Sequence, residues 1–332
     1  MRILVTGGCG FIGSNFIRHI LRRYPDYEVI NLDALTYAGN SVNLRDIEND
    51  TRYSFVKGRI EDRELVRGLI KNVDYVVHFA AESHVDRSIV DVSPFIKTNI
   101  VGTTIILDAI RDSSVKRYVH ISTDEVYGSL GEDGRFTEET PLRPNSPYAA
   151  SKASADLLVR AYYETYRIPA IIVRPSNNYG PYQFPEKFIP LMITNLIKDR
   201  PIPIYGEGRN IRDWLFVEDN CRAIDLILHM GKIGEAYNVG GNSEMRNIDL
   251  ARAVLRIMDK KDEMITYVKD RPGHDYRYAL DSSKVERELG WRPETDIMEG
   301  LRKTIHWYMN NEWWWNPLKE RLERESKGFW ER

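Results

Sequence analysis

Short apolar runs rich in β-branched residues recur along the first half of the chain, separated by longer amphipathic segments. The runs predict strands at Ile3–Val5, Val29–Leu32, Ser54–Val56, Tyr75–Phe79, Arg117–Ile121 and Ala170–Val173. In the segments between them, apolar residues at three- and four-residue spacing predict helices over Ile12–Arg23, Glu61–Lys71, Val92–Arg111 and Pro147–Tyr166. This alternation predicts an α/β fold in which helices cover both faces of a parallel sheet.

The alternation weakens after Arg174, where prolines predict loops and short helices, at positions 175, 181, 185, 190, 201 and 203. A predicted helix at Val217–Met230 and a predicted strand at Ala236–Val239 then restore it. We therefore predict a sheet domain over residues 1–175, to which roughly 212–242 return, and a smaller lobe mainly over 176–332. Near the end, the aromatic segment Trp313–Leu318 is interpreted as docking a terminal helix.

Charge and cysteine content narrow the classes of function. The 47 Lys and Arg residues nearly balance 49 Asp and Glu residues without a like-charge block, which argues against nucleic acid or a membrane surface as partner. Cys9 and Cys221 lie far apart without metal-ligand spacing, so neither a disulfide framework nor a metal site is expected. Because no apolar run approaches about 18 residues and the N-terminus leads directly into a strand, we expect an unprocessed cytoplasmic protein.

A glycine-rich turn joins the first predicted strand to the first predicted helix. The segment VTGGCGFIGS places Gly7, Gly10 and Gly13 three residues apart, and Asp33 follows 20 residues after Gly13. Glycines let a backbone approach a pyrophosphate at a helix N-terminus, and a carboxylate at the next strand end accepts hydrogen bonds from an adenosine ribose. The alternative is an ordinary turn and a solvated acid. The full pattern favours NAD, since Asp33 would repel the ribose phosphate of NADP.

Tyr148 and Lys152 lie four residues apart on the predicted helix that Ser146 and Pro147 begin. An unperturbed tyrosine has a pKa of about 10, and a neighbouring ammonium stabilises the phenolate. We therefore expect Lys152 to lower the pKa of Tyr148, so that the phenol can act as a base, and to hold a nicotinamide ribose. The same spacing is also common on helices without such a function.

In this order, the glycine turn, Asp33 and the tyrosine–lysine pair resemble the extended short-chain dehydrogenase/reductase superfamily, whose members mostly act on nucleotide sugars. The resemblance implies a Rossmann-type doubly wound parallel sheet, a smaller α/β C-terminal substrate-binding lobe and NAD as cofactor. It further implies that the cofactor is contacted by Gly7, Gly10, Phe11, Ile12, Gly13, Asp33, Ile60, Ala80, Ala81, Asn99, Tyr148 and Lys152.

Thr123, Asp124 and Glu125 directly follow the predicted strand Arg117–Ile121, at the kind of position where α/β sheets bind ligands. Epimerases that resemble this scaffold typically carry Ser or Ala at the last two of these positions. A dehydration needs a base for the C5 proton and an acid for the departing C6 hydroxyl. Adjacent carboxyl groups can divide these tasks if their surroundings separate their pKa values. The alternative is a pair of acids that cap a turn.

Motifs along almost the whole chain resemble the dTDP-glucose 4,6-dehydratases: STDEVYG, HFAAESHVDRS, SNNYGPYQFPEKFIPLMI, RDWLFVEDNCRAI, RPGHDYRYALD and NNEWWWNPL. The resemblance implies conversion of dTDP-glucose to dTDP-4-keto-6-deoxyglucose, in which NAD takes the C4 hydride, water leaves across C5 and C6, and the hydride returns to C6. It assigns Tyr148 as base for the 4-hydroxyl, Thr123 as its hydrogen-bonding partner, Asp124 as acid and Glu125 as C5 base.

The same resemblance implies further substrate contacts besides Thr123, from Ser83, Asn177, Glu186, Lys187, Tyr205, Arg212, Asn247, Arg271 and His274. Guanidinium groups suit a pyrophosphate because their forked donors match its oxygens. The chain departs from the family at KGRIED, where Arg59 replaces the usual aspartate beside the adenine. Adenine recognition there must differ or rely on the backbone.

The resemblance also implies a homodimer, with Val92–Arg111 and Pro147–Tyr166 as candidate interface helices, and a role in deoxysugar biosynthesis such as that of rhamnose. Three alternatives stay open: a UDP-sugar 4-epimerase, a 4,6-dehydratase of UDP-glucose and a non-catalytic NAD-binding module. Thymine differs from uracil by one methyl group, whose burial contributes only about 1 kcal/mol, so the sequence leaves the choice of base open.

Overall fold

The computed structural model describes residues 1–326. Residues 327–332, the end of the predicted second lobe, lie outside the described part. The strands are β1 (Arg2–Thr6), β2 (Glu28–Asp33), β3 (Tyr53–Lys57), β4 (Tyr75–His78), β5 (Arg117–Ile121), β6 (Ala170–Pro175), β7 (Asn177–Tyr179), β8 (Ile202–Tyr205), β9 (Ile211–Phe216), β10 (Ala236–Val239), β11 (Glu244–Arg246) and β12 (Ile265–Val268).

The α-helices are α1 (Phe11–Arg23), α2 (Arg63–Ile70), α3 (Val85–Val90), α4 (Ser93–Phe95), α5 (Thr103–Arg111), α6 (Pro147–Tyr166), α7 (Phe188–Ile197), α8 (Val217–Met230), α9 (Asn247–Ile257), α10 (Ser283–Leu289), α11 (Ile297–Asn310) and α12 (Glu312–Ser326). Single turns of 3-10 helix occur at Ser41–Leu44, Asp124–Tyr127 and Asp262–Met264, and a π-helical segment spans Ile96–Gly102. None of the helices in the described part combines the length and apolar character needed to cross a bilayer.

The main sheet has seven parallel strands in the order β10-β6-β5-β4-β1-β2-β3. Apolar residues of α1 and α8, such as Phe16 and Ile224, pack in the core on one face. Residues of α2, α5 and α6, such as Val66, Ile106 and Val159, pack in the core on the other. The predicted Rossmann-type doubly wound fold is confirmed. Chain order reverses between β1 and β4, which places a ligand crevice at the carboxyl ends of the strands.

The predicted helix Val92–Arg111 is interrupted. It begins at Ser93, before Pro94, passes through the π-helical segment and becomes α-helical again at Thr103. Hydroxyl groups within it bond back to the helix, as in the 2.7 Å bond from Thr103 Oγ1 to the carbonyl of Asn99. The wider turn carries the Asn99 side chain to partners outside the helix, described below, and a spacing pattern does not reveal such a turn.

A second core joins the smaller sheets, β11-β9-β7 and β12-β8, to the later helices. Two tryptophans dock α12 as expected: Trp314 donates a hydrogen bond to Asn43 at 2.8 Å, and Trp315 donates one to the carbonyl of Tyr308 at 2.8 Å. Trp313 differs, because 53% of it is exposed. Strand β10 pairs with β6 in the main sheet, while the domain boundary near residue 175 stays a prediction.

Candidate active site

The glycine turn forms a cradle at the N-terminus of α1. Gly7 has a φ of +72°, and a Cβ there would lie 2.6 Å from the backbone nitrogen of Ala80. A Cβ on Gly13 would lie 2.5 Å from the carbonyl oxygen of Gly7. Side chains at either position would therefore collide with the backbone, so the turn that leaves the first N–H groups of the helix free for an anion requires glycine. The cradle fits the pyrophosphate of a dinucleotide.

A cavity of about 320 Å³ extends from this cradle along the carboxyl ends of the strands. Most residues predicted to hold the cofactor line its wall: Gly7, Gly10, Phe11, Ile12, Gly13, Asp33, Ile60, Ala80, Ala81 and Tyr148. Asp33 accepts hydrogen bonds from the backbone N–H groups of Cys9 and Leu35, at 2.9 and 2.7 Å. Burial nevertheless raises the pKa of its carboxyl group.

Asn99 is not on this cavity wall. Its amide pairs with both backbone groups of Glu82, at 2.9 and 3.0 Å, and donates to Ser151 Oγ at 2.8 Å. Asn99 therefore fixes the loop that leads to Ser83 from outside the cavity wall. Its predicted contact with the cofactor stays a prediction.

Thr123, Asp124 and Glu125 follow β5 at the inner end of the cavity. The hydroxyl of Thr123 accepts a hydrogen bond from the Glu125 amide at 3.3 Å and donates one to Asp124 at 3.2 Å. Asp124 is 1% exposed, and its Oδ2 has no hydrogen-bond partner among the described residues. The turn thus holds one carboxyl group in the protein interior beside a second one.

The two carboxyl groups have different electrostatic surroundings. Burial raises the pKa of Asp124 well above its usual range, and the negative charge of Glu125 raises it further. Desolvation also raises the pKa of Glu125, but three nearby cations counteract it: Arg271, Arg212 and Lys187. The environment therefore favours protonation of Asp124 over protonation of Glu125, which is the direction of separation that an acid and a base require.

Tyr148 differs from the sequence expectation in its electrostatics. Burial raises its pKa well above 10, the charge of Glu125 raises it further, and a hydrogen bond with Thr123 acts in the opposite direction. Lys152 directs its ammonium group to the carbonyl oxygen of Ile121, 2.6 Å away, and burial lowers the pKa of Lys152 to about 8. The expected lowering of the Tyr148 pKa by Lys152 is therefore wrong for this structure, because burial and the charge of Glu125 raise this pKa, while the Lys152 ammonium group bonds to Ile121.

A second cavity, of about 500 Å³, lies between the main sheet and the smaller sheets. Its wall includes the residues predicted to contact substrate: Ser83, Asn177, Glu186, Lys187, Tyr205, Arg212, Asn247, Arg271 and His274. Thr123 lies in the wall of the first cavity. Six residues border both cavities: Ser83, Glu125, Asn177, Asn178, Gln183 and Lys187. The two spaces therefore meet at the carboxylate turn.

The second cavity is suited to an anion with polar groups on either side. Arg212 is 5% exposed, donates to the carbonyls of Ile211 and Asp275, and has no ion-pair partner among the described residues. Buried oxygens of Asn177, Asn247 and Glu186 also lack hydrogen-bond partners in this part of the chain. A buried cation and orphaned polar atoms on one wall indicate a charged, hydrogen-bonding ligand.

Asp86 is a wall residue that sequence reasoning did not assign to the substrate. Its carboxylate lies 3.3 Å from Arg271 Nη1 and accepts a 3.3 Å hydrogen bond from the Tyr205 hydroxyl. It thereby orients two residues of the smaller lobe from the first turn of α3. Its position in the motif ESHVDRS, three residues after Ser83, could have identified Asp86 as a residue of the site. Among the described residues, no cluster of three metal-ligating side chains is present.

Comparison with known proteins agrees with this geometry. A family model described as GDP-mannose 4,6 dehydratase matches residues 4–304. The dTDP-glucose 4,6-dehydratase of Escherichia coli is 48% identical, with 96% of this chain and 97% of that protein covered. Its counterpart from Mycobacterium tuberculosis is 51% identical, with 97% and 98% covered.

Solved structures show the same similarity. The dTDP-glucose 4,6-dehydratase of Bacillus anthracis in complex with NAD has a TM-score of 0.91 and 50% identity, with 96% of this chain and 99% of that chain covered. A UDP-glucuronic acid 4-epimerase from Bacillus cereus, in complex with UDP-glucuronic acid and NAD, has a TM-score of 0.88 and 29% identity, with 93% and 99% covered. The scaffold is thus common to dehydratases and epimerases.

Proposed function

This chain belongs to the dTDP-glucose 4,6-dehydratases, within the short-chain dehydrogenase/reductase-type nucleotide-sugar dehydratases, and from that premise we propose how its residues carry the reaction. The enzyme is a hydro-lyase that converts dTDP-glucose to dTDP-4-keto-6-deoxyglucose with NAD as cofactor. When bound, NAD supplies the nicotinamide ring that accepts the C4 hydride and later returns it to C6. The observation that carries the assignment of roles is the difference in electrostatic surroundings between the carboxyl groups of Asp124 and Glu125.

Tyr148 is the base that accepts the proton of the 4-hydroxyl as C4 becomes a ketone. A hydrogen bond with Thr123 lowers the pKa of Tyr148, which supports this role against the opposing effect of burial. Lys152 holds the carbonyl of Ile121, which fixes the position of the strand end that precedes Thr123. Both residues therefore organise the oxidation half of the cycle.

Asp124 and Glu125 carry the elimination. The ketone at C4 makes the C5 proton acidic, and the ionised Glu125 removes it. The protonated Asp124 donates its proton to the C6 hydroxyl, which leaves as water. An epimerase has no step that needs this acid and base, so the pair favours dehydration on a scaffold that both classes use.

The second cavity holds the nucleotide diphosphate. Arg212, Arg271 and Lys187 are among the cations of its wall, and guanidinium forks match pyrophosphate oxygens. Asp86 positions Arg271 for this contact. The orphaned oxygens of Asn177 and Asn247 would accept hydrogen bonds from sugar or base.

Product analysis tests the function directly. The purified enzyme is incubated in parallel with dTDP-glucose and UDP-glucose, and the products are analysed by mass spectrometry and for 4-keto sugar. We expect loss of water from dTDP-glucose and slower turnover of UDP-glucose. Epimerised sugar of unchanged mass would support an epimerase, equal rates would remove the thymidine preference, and no product would contradict the assignment.

We also propose that the enzyme is a cytoplasmic homodimer. Apolar side chains on neighbouring helical segments are exposed in the single chain, among them Ile96 and Val101 at 46% each and Leu157 at 57%. Both predicted interface helices contribute, which supports a helical bundle between two copies. Cys9 and Cys221 are buried free thiols, as a reducing compartment permits.

A further inference from the structure

The sheet order fixes the direction in which a dinucleotide lies in the first cavity. Tyr148, Thr123 and the strand end after β5 border one side of it, whereas Asp33 and the loop after β3 border the other. The glycine cradle after β1 lies between them. Since the nicotinamide must reach the sugar near Tyr148, the adenine must lie on the side of β2 and β3.

Three polar side chains meet at that end of the cavity wall: Arg59, Glu61 and Thr98. Thr98 Oγ1 donates a hydrogen bond to Glu61 Oε1 at 2.9 Å. Arg59 Nη1 lies 3.9 Å from the same carboxylate oxygen. The Glu61 side chain is 10% exposed, while that of Arg59 is 56% exposed. A hydrogen-bonded, mostly buried carboxylate therefore lies inside the wall, and an exposed guanidinium lies at its rim.

These two groups match the chemistry of an adenine ring. The exocyclic amino group at the ring edge is a donor, and a carboxylate only accepts, so the pairing has one orientation. A planar guanidinium stacks on an aromatic face. We propose that Glu61 accepts a hydrogen bond from the adenine amino group and that Arg59 covers the face of the ring.

Two neighbours oppose a role for Arg59 as a ligand of a ribose phosphate. Asp33 lines the same wall, and an anion there repels a second anion. Glu61 already offsets the charge of Arg59. The pair is thus close to neutral, as recognition of an uncharged base requires.

The inference rests on NAD as cofactor and is tested by competition rather than by turnover. The purified protein exchanges bound cofactor in an equal excess of NAD and its hypoxanthine analogue, in which a carbonyl replaces the amino group. Free nucleotide is removed, and the retained dinucleotides are quantified by chromatography. We expect the wild type to retain NAD over the analogue by about tenfold or more, the cost of an unpaired acceptor.

Variants assign the preference to its residues. In Glu61→Gln the ratio should fall below about threefold, because the amide can also donate to the analogue's carbonyl. Glu64→Gln, an exposed position on α2, should keep the wild-type ratio. Arg59→Ala should lower retention of both dinucleotides and leave their ratio unchanged.

Three results would overturn the inference. The first is an equal ratio in the wild type and Glu61→Gln. The second is a larger effect of Arg59→Ala on NADP than on NAD in the same competition. The third is a wild type that retains neither dinucleotide, and this result would also overturn the cofactor assignment, so the two failures can be told apart.

Discussion

The ammonium group of Lys152 donates a 2.6 Å hydrogen bond to the carbonyl oxygen of Ile121, the last residue of β5. Burial lowers the pKa of Lys152 to about 8, although Asp156 counteracts it. Deprotonation above this pH weakens the bond that holds the strand end before Thr123. We therefore expect kcat to decrease as the pH rises through about 8. Lys152→Arg, whose side chain stays charged, should lose this decrease, and a pH-independent wild-type kcat would contradict the expectation.

Replacing the two carboxylates should separate oxidation from elimination. Glu125→Gln cannot remove the C5 proton, so C4 oxidation should proceed and the absorbance of bound NADH should accumulate in a single turnover. Asp124→Asn should retain the same signal, because the leaving hydroxyl is not protonated. We expect kcat to fall by at least about 10²-fold in each. Glu132→Gln, at an exposed position, is the control, and normal turnover of Glu125→Gln would refute its role as base.

Asp124 should make the enzyme less stable as the pH rises. Its folded pKa is raised above the unfolded value of about 3.9, so the folded state binds more protons and stability falls with increasing pH. Asp124→Asn removes this dependence and should raise the Tm relative to the wild type, by more at about pH 8 than at about pH 5. Thermal unfolding at several pH values measures the difference. Asp133→Asn at an exposed site is the control, and a constant difference would contradict the raised pKa.

Asp225 ties α1 to α8 from inside the protein. Its carboxylate is 3% exposed and lies 2.9 Å from both His19 and His229. Burial opposes its ionisation, but the hydrogen bonds of the two histidines hold the pKa of Asp225 well below its usual range. We expect Asp225→Asn to cost about 2–4 kcal/mol in the free energy of unfolding, as measured by chemical denaturation.

The free energy of unfolding lost in Asp225→Asn should decrease both at low pH and at high pH. Burial lowers the pKa of His229, but Asp225 raises it, and the net effect is an increase. The stabilisation that protonated His229 contributes is therefore complete below about pH 6.5 and is lost as the pH rises through the higher pKa of the folded state. The contribution of Asp225 is present above about pH 3.9 and is lost on acidification. The destabilisation should therefore be largest between these values. Asp26→Asn, on the exposed surface, should show no such maximum, and a pH-independent loss would argue against the charged pair.

The exposed apolar side chains predict which surface would join two copies in the proposed homodimer. Leu157 on α6 is 57% exposed, and Met309 on α11 is 61% exposed. Leu157→Glu should convert the dimer to a monomer in light scattering coupled to gel filtration, because a charge would be buried in an apolar interface. Met309→Glu is the matched control and should leave the mass unchanged. A dimer that persists in Leu157→Glu would place the interface elsewhere.

The sequence predicted those helices, strands and site residues that depend on a local pattern. The bounds of α6 and β5 were predicted to the residue, because Ser146 and Pro147 mark the start of α6 and a short apolar run defines β5. The electrostatics of Tyr148 were not predictable, since a four-residue spacing shows neither that the Lys152 ammonium bonds to Ile121 nor that Glu125 raises the pKa of the phenol. The role of Asp86 depends on Arg271, 185 residues away, and such a pairing exists only once the lobes are assembled.

The side chains that border both cavities have a thermodynamic consequence. A ligand in either space restricts Ser83, Asn177 and Lys187 for the other, so binding of the nucleotide sugar and of NAD must be coupled. Such coupling is reciprocal: the factor by which the sugar tightens the cofactor equals the factor by which the cofactor tightens the sugar. NAD is regenerated in each catalytic cycle. The bound sugar therefore opposes dissociation of the cofactor during the interval when the cofactor is reduced.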